Sequence, residues 1–429
     1  MNRLGFSQVK ITPPVGTQLS GYTYERASAG VHDDLYVRVL ALEIRRELFC
    51  LVQMDLMGVD EYFAAKVYGL VADLGVEEDH LIICTTHTHS GPKGIFDQEN
   101  ILDEENFGTF DQRLVSDYLQ KTEKCLRRVL GCLRPLERIE VGLGRAPGIG
   151  SERHTGGEGD DRLFVLTFVR EDGRKVLLYN FSCHPTILHH DNLLISADLP
   201  YGALKHLEAA YDMVMFTNGS AGDISTRFTR QETTFAEVER LGWELGRAVW
   251  DTAENPLYIG EIHRFRTRRY KVPLKFREIH SLEEAAAAFQ EAAEKVEEGK
   301  RAGLPAGEMR LVESLYEGAW RDLKVARTLK KRDILELEIN IFAINEWNFI
   351  TIPGEIFSSL TRPLRESQRN IILGYADGYY LYFPDESAWE KRYYEASSCF
   401  LQRGEGEKLV EFIREKLKTD FRGGPIALG

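Results

Sequence analysis

Long apolar runs are missing from this 429-residue chain. No stretch approaches the roughly 20 residues that a membrane-spanning helix requires. The opening MNRLGFSQVKITPPVG lacks the apolar core of a secretory leader, so no Sec signal is expected. Basic charge is in deficit as well: 54 Lys and Arg against 67 Asp and Glu leave a net charge of −13. Phosphate binding needs a basic face, so nucleic acid is not an expected partner. Stable docking on an anionic membrane is disfavoured for the same reason. Cysteine is sparse, with residues at 50, 84, 125, 132, 183 and 399 and no CxxC pair, which excludes a zinc ribbon. Cys84 and Cys183 lie in apolar, strand-like contexts where buried free thiols are usual. HExxH is absent too, so a zincin helix cannot be the frame of any metal site. A cytoplasmic protein is the expectation.

What the chain does have is alternation. Apolar strand-like runs at 37–44, 48–56, 81–86, 137–143, 163–169, 176–182 and 213–218 are interleaved with helical patterns near 60–74, 110–131, 199–210 and 233–252. Asp111 or Thr109 would cap the second of these helices. Leu335, Leu337, Ile339 and Ile341 alternate along one face of a later strand. Helices near 355–368 and 405–417 follow. Residues of about 280–330 are rich in Ala, Glu and Lys around a Gly-Leu-Pro break, and read as an inserted helical hairpin, a solvated side element. No repeat, low-complexity tract or Ser/Gly linker divides the chain. The predicted fold is α/β: a single domain over 1–429, with a mixed β-sheet core flanked by helices.

Four apolar strands end in reactive residue types. The run HLIICTT leads into HTHSGP, placing His87 and His89 two apart, and residues two apart on a strand point to one side. VLLYNFSCHPT ends in His184, NFITIPGE in Glu355, and MVMFTNGSAGDIS in Asp223 and Ser225. Active sites of sheet enzymes collect at strand ends. Two or three His with a carboxylate is the ligand set of catalytic zinc. Each residue also has an ordinary reading. Glu355 would suit a helix N-terminus, His184 a satisfied core position, and Asp198, before LPYGALKHLE, a helix cap.

THTHSGP, FSCHPT, GDIS, IPGE and GYADGYYLYFP…RYYE, in this order, resemble the neutral ceramidase family, specifically its catalytic domain. ITPPVGTQLSGY and GVHDDLYVRVLALE are similar to the start of its short bacterial members, and GEGEKLVEF to their end. The resemblance spans nearly the whole chain and matches least over 280–330. It implies one zinc ion held by His87, His184, Glu355 and Tyr382, with Tyr379 and Tyr380 as close competitors for the last place. It further implies catalytic positions at Ser225, His89, Tyr394 and Arg153, the last with Arg145 nearby in sequence. Ser225 is followed by Thr226-Arg227 where the family has Pro-Asn, so the local turn departs from the pattern.

The expected chemistry is zinc-dependent hydrolysis of an amide (N-acyl) bond. Zinc would polarise the carbonyl, His89 would carry a proton to the leaving amine, and Arg153 and Tyr394 would stabilise the oxyanion. Ser225 is either nucleophile or orienter, and Asp198 and Asp223 are candidates to fix imidazole tautomers. The loops FDQENILDEENFGTFDQR, RHTGGEGDDR and STRFTRQETT are polar and charged, which favours a small acylated substrate over membrane ceramide. Rival readings are an esterase or deacetylase of acylated carbohydrate, and a metal-stabilised binding protein without turnover. Oligomeric state is not legible.

Overall fold

Along the strand Tyr36–Ile44, Val37, Val39 and Ala41 alternate with Leu40, Leu42 and Ile44, and both sets are buried. A strand apolar on both faces must be covered on both. The structure, a computed structural model, describes residues 1–22, 24–97, 107–304, 306–328 and 333–421.

Tyr36–Ile44 is central to a nine-stranded mixed sheet. Across it run Met213–Asn218, Lys175–Phe181, Arg162–Arg170, Arg134–Arg145, Arg3–Lys10, Tyr36–Ile44, Glu47–Met54 and Leu81–Thr85, with Tyr258–Gly260 beside Arg134–Arg145. Most neighbours are antiparallel. The exceptions are Glu47–Met54 with Leu81–Thr85, and Lys175–Phe181 with Met213–Asn218. Each parallel pair is joined through a helix, Glu61–Ala72 in one and Leu199–Leu207 in the other.

The mixed β core expected from the sequence is present, and it is built from two stacked sheets. Phe265–Lys275, Ile334–Ile344, Trp347–Thr351 and Asn370–Leu373 form a second, four-stranded sheet. Its Phe342, Ile344, Phe349 and Leu373 pack against Leu4, Leu42, Phe168 and Met215 of the first. Leu335, Leu337, Ile339 and Ile341 face the opposite way, onto the helix Glu405–Thr419. Helices Glu61–Ala72 and Gln112–Gly131 cover one half of the large sheet's outer face. Leu199–Leu207 and Phe235–Glu254 cover the other half. The result is a four-layer α/β/β/α sandwich within one domain.

Asp111 caps its helix, accepting from the Arg113 and Leu114 amides. Helices Leu282–Ala302 and Ala306–Thr328 occupy the Ala/Glu/Lys-rich segment, opened by a Ser281–Glu284 capping box. They are tied to the body, since Arg321 Nη2 donates to Tyr394 Oη at 2.6 Å. Glu355 is not at the helix N-terminus expected for it. It lies in the two-residue strand Glu355–Ile356, and the helix starts only at Ser358.

Candidate functional site

Three parallel strand pairs, Glu47–Met54 with Leu81–Thr85, Lys175–Phe181 with Met213–Asn218 and Trp347–Thr351 with Asn370–Leu373, deliver chemistry at their carboxyl ends, as the crossover geometry of open sheets predicts. His87 follows Leu81–Thr85, His184 follows Lys175–Phe181, and Ser225 follows Met213–Asn218. Glu355 follows Trp347–Thr351, and Tyr375, Tyr379 and Tyr382 follow Asn370–Leu373. These ends are knit together by backbone contacts: Thr85 N donates to Tyr375 O at 3.1 Å and Gly374 N to Asn218 O at 3.0 Å. Gly222 is required here, because a Cβ would lie 2.4 Å from Glu355 O. His87, Tyr375, Asp377 and Leu381 all have φ between 56° and 67°. For bulky residues such as Tyr and Leu this conformation is strained and persists only where packing enforces it.

The hydrogen bonds assign the tautomers of two imidazoles. His87 Nδ1–H donates to Met57 O at 2.8 Å, and His184 Nδ1–H donates to Ala221 O at 2.5 Å. With Nδ1 committed to a carbonyl, Nε2 is the nitrogen each ring has left to offer a metal. Both face the Glu355 carboxylate, whose Oε2 is 2.8 Å from His184 Nε2 and 3.6 Å from His87 Nε2. Acceptors facing an acceptor repel unless a cation or a proton stands between them. Burial opposes the proton: it pulls the His87 imidazole down to about 4, outweighing the Glu355 field, and takes His89 well below its usual range. Burial works against the Glu355 charge too, but its polar neighbours His87, His184 and Tyr379 together hold its carboxyl down at about 2. A buried carboxylate and two imidazole Nε2 atoms, all aimed at one point, fit a metal ion.

His89 completes the cluster. Its Nε2 is 3.1 Å from His87 Nε2, and ring nitrogens of His87, His89 and His184 lie within 4.8 Å of one another. No carbonyl pins it: among the described residues its buried Nδ1 has no hydrogen-bond partner. Gly21, at φ +90°, makes room for this ring, since a Cβ there would come within 2.3 Å of it. Tyr375 stacks on His87 at 4.0 Å, and Tyr379 Oη donates to Glu355 Oε1 at 2.5 Å. Tyr382 pairs in register with Glu355 across a short parallel ladder. Its Oη accepts from Arg153 Nη1 at 3.3 Å, and its ring lies parallel to that of His184 at 6.5 Å. Tyr380 is buried beside it, its amide bonded to Pro353 O at 2.8 Å.

Ser225 sits on the two-residue strand Ile224–Ser225, which pairs with Ser151–Glu152 and bridges to His184. That pairing brings Arg153 to the cluster. Arg153 Nη1 also donates to Gly222 O at 3.3 Å, and its Nε is 3.5 Å from Glu395 Oε1. Ser225 Oγ accepts from Arg227 N at 3.3 Å. Tyr394 contacts Tyr382 edge-on at 6.0 Å. Arg145 instead forms an exposed ion pair with Asp161.

Neither aspartate fixes an imidazole tautomer; backbone carbonyls do. Asp198 caps Leu199–Leu207 and holds the amides of Ile187 and Leu188, while Asp223 accepts from Ser358 N and Oγ. Burial lifts both carboxyls to about 6. Of the polar rim expected after His89, residues 98–106 lie outside the described residues, and Phe96 and Phe107 pack inward on Tyr379.

Sequence reasoning missed His154. It lies between two carboxylates, bonded through Nε2 to Glu395 Oε2 at 2.8 Å and through Nδ1 to Glu152, and it stacks on Tyr393 at 3.7 Å. Burial opposes its charge, but the two carboxylates raise its imidazole to about 9. Its position beside Arg153 in SERH was the available signal.

No protein-family model and no curated protein matches this chain. Two solved structures do. One, neutral ceramidase from Pseudomonas aeruginosa, aligns at a TM-score of 0.76 and 19% identity, covering 99% of this chain and 76% of that one. A second, a ceramidase complexed with C2, aligns at 0.73 and 16% identity, covering 100% and 77%. The chain therefore has the neutral ceramidase fold over essentially its whole length.

Proposed function

We propose that this protein is a zinc-dependent hydrolase of N-acyl (amide) bonds, with ceramidase-like chemistry, acting on a small acylated substrate. The observation that carries the reading is the convergence of the His87 and His184 lone pairs on the Glu355 carboxylate. His87, His184, Glu355 and Tyr382 would hold the metal, which when bound supplies Lewis acidity toward the acyl carbonyl. The chain's own groups do the rest. Arg153 and Tyr394 donate to the carbonyl oxygen as it gains charge; Tyr394 already accepts from Arg321, which leaves its own proton to give. His89 delivers a proton to the nitrogen as the C–N bond breaks, a role that suits an imidazole with no carbonyl fixing its tautomer. Ser225 Oγ or water adds to the carbonyl carbon and gives up its proton to neutral His89, which is the proton His89 then passes to the departing nitrogen. The six free thiols support a cytoplasmic setting, and the net charge of −13 supports a reaction without nucleic-acid or membrane partners.

Amine release from N-acyl compounds of graded acyl length, by zinc-loaded protein and after chelation, tests this. Turnover that stops on chelation and favours short acyl groups is expected. A rate climbing steadily toward long chains contradicts the small substrate. No turnover of any member contradicts the hydrolase.

A further inference from the structure

The large sheet is pinned at its middle by only two residue pairs, Arg3 with Pro135 and Leu4 with Arg134. Past them its halves part, and a cavity of about 390 Å³ opens between Gln8, Arg38 and Gln53 on one side and Tyr179, Met213 and Phe216 on the other. That volume lies within the roughly 300–1,000 Å³ of small-molecule sites. Among the described residues that line it, none belongs to the metal cluster. Arg38 and Tyr179 are both more than nine-tenths buried. Arg38 Nη1 donates to Asp55 Oδ2 at 2.7 Å, and Gln53 Nε2 donates to Asp55 Oδ1 at 2.8 Å. The Nε edge of the guanidinium is uncommitted: among the described residues Arg38 Nε has no hydrogen-bond partner, and neither has Tyr179 Oη. Unpaired polar atoms are costly to bury, so two in the walls of one cavity point to a molecule that fills it.

The charges around the cavity restrict what that molecule can be. Asp55 is matched by Arg38, Asp34 by Lys10 at 2.7 Å and Asp212 by Arg174 at 2.7 Å. Asp33 has no such cation: its Oδ1 accepts from Ala197 N at 2.8 Å, and its Oδ2 faces His32 Nδ1 at 3.0 Å. Glu208, also lining the cavity, is exposed. These last two carboxylates oppose an anion. Arg38, which can only donate, opposes a cation. A neutral molecule with many hydroxyl groups meets both demands. Its oxygens accept from Arg38, and its O–H groups donate to the Gln8 amide oxygen and to the Tyr179 oxygen. Tyr36, Tyr201 and Tyr211 line the cavity as well, and a tyrosine offers an apolar face to the C–H groups of a saturated ring beside its polar tip.

We infer that this cavity is a second binding site, separate from the metal cluster, for a neutral polyhydroxylated ring of monosaccharide size, recognised by Arg38 and Tyr179. The site stands independently of the hydrolase reading, because it uses no residue of the metal cluster and no step of the reaction.

Saturation-transfer NMR on the full chain tests it, with methyl α-glucopyranoside, methyl α-galactopyranoside and myo-inositol as probes. None of the three carries an acyl group, so none is a substrate of the metal site. Glycine, spermidine and inorganic phosphate stand in for a zwitterion, a cation and an anion. Transfer to the ring protons of at least one neutral probe is expected, with binding weakened at least about tenfold in Tyr179→Phe, the scale of one lost hydrogen bond. That variant removes only an unpartnered hydroxyl, so its Tm should match or exceed the wild-type value, and lost binding at an undiminished Tm isolates recognition from folding. Tyr201→Ala, at a half-buried position on the same cavity, should weaken binding as well. No transfer to any neutral probe would mean that the cavity holds water alone, and overturns the inference. Binding that Tyr179→Phe leaves unchanged, or binding of a charged probe in place of the neutral ones, overturns it too.

Discussion

Two imidazole environments lie on neighbouring loops of this molecule, and they are opposites. His87 and His184 each bond Nδ1 to a main-chain carbonyl and turn Nε2 toward the single carboxylate of Glu355. His154 has a carboxylate on each ring nitrogen, so it holds two protons and a charge. All three rings are largely removed from water, so burial alone does not decide protonation. The partner does: a carbonyl accepts one hydrogen bond and leaves the imidazole neutral, whereas paired carboxylates stabilise the cation. Neutral rings make metal ligands. The charged ring makes an anchor, and through Glu395 it holds Arg153 over the cluster.

Breaking the neutral environment should have the largest effect. Glu355→Gln keeps the shape but removes the negative charge that faces both bare nitrogens. Zinc should be lost and turnover should fall by about a thousandfold, the upper range for a key electrostatic group. A variant that keeps zinc and activity would mean that the carboxylate is not what holds the ion. Ser225→Ala should retain zinc while turnover drops about a hundredfold; unchanged turnover would assign nucleophilic attack to water alone. A smaller effect is expected of Tyr379→Phe, which removes the 2.5 Å bond to Glu355. Zinc affinity, read by competition with a chelator, should weaken about tenfold, as for other groups that orient a metal ligand.

The charged environment predicts a pH signature. His154 is raised from 6.5 to about 9 in the folded protein. A raised folded value means its contribution to stability is complete below pH 6.5 and lost as pH climbs through about 9. Wild-type Tm should therefore decline across that window, and His154→Gln should flatten the decline. Parallel curves for the two proteins would show that His154 is not held charged.

Much of this was legible beforehand, for stated reasons. Strands such as Arg162–Arg170 read clearly because both of their faces are buried, giving a continuous apolar run. The 335–341 alternation read correctly because it has one face on a single core layer. What failed depends on contacts remote in sequence. Nothing near Phe342 and Phe349 says that they pack on a second sheet. Glu355, a candidate ligand in the sequence, also suited a helix end there, because the ladder that claims it is made by Tyr382, 27 positions later (355 to 382). The cap role read for Asp198 holds, but the groups that fix the tautomers were out of sight, because a carbonyl such as Met57 O, 30 residues from His87, has no signature in sequence. Tyr375, stacked on His87 with φ 56°, is equally silent, since a bulky aromatic does not announce a left-handed backbone.

The central claim is that His87 and His184, each with Nδ1 on a backbone carbonyl, hold a metal while His154, flanked by two carboxylates, does not. Elemental analysis of purified protein tests it most directly, comparing wild type, the His87→Ala, His184→Ala double variant and His154→Ala. The account predicts about one zinc per chain in wild type, as for a mononuclear site, retention in His154→Ala and loss in the double variant. Full zinc occupancy in the double variant would contradict it.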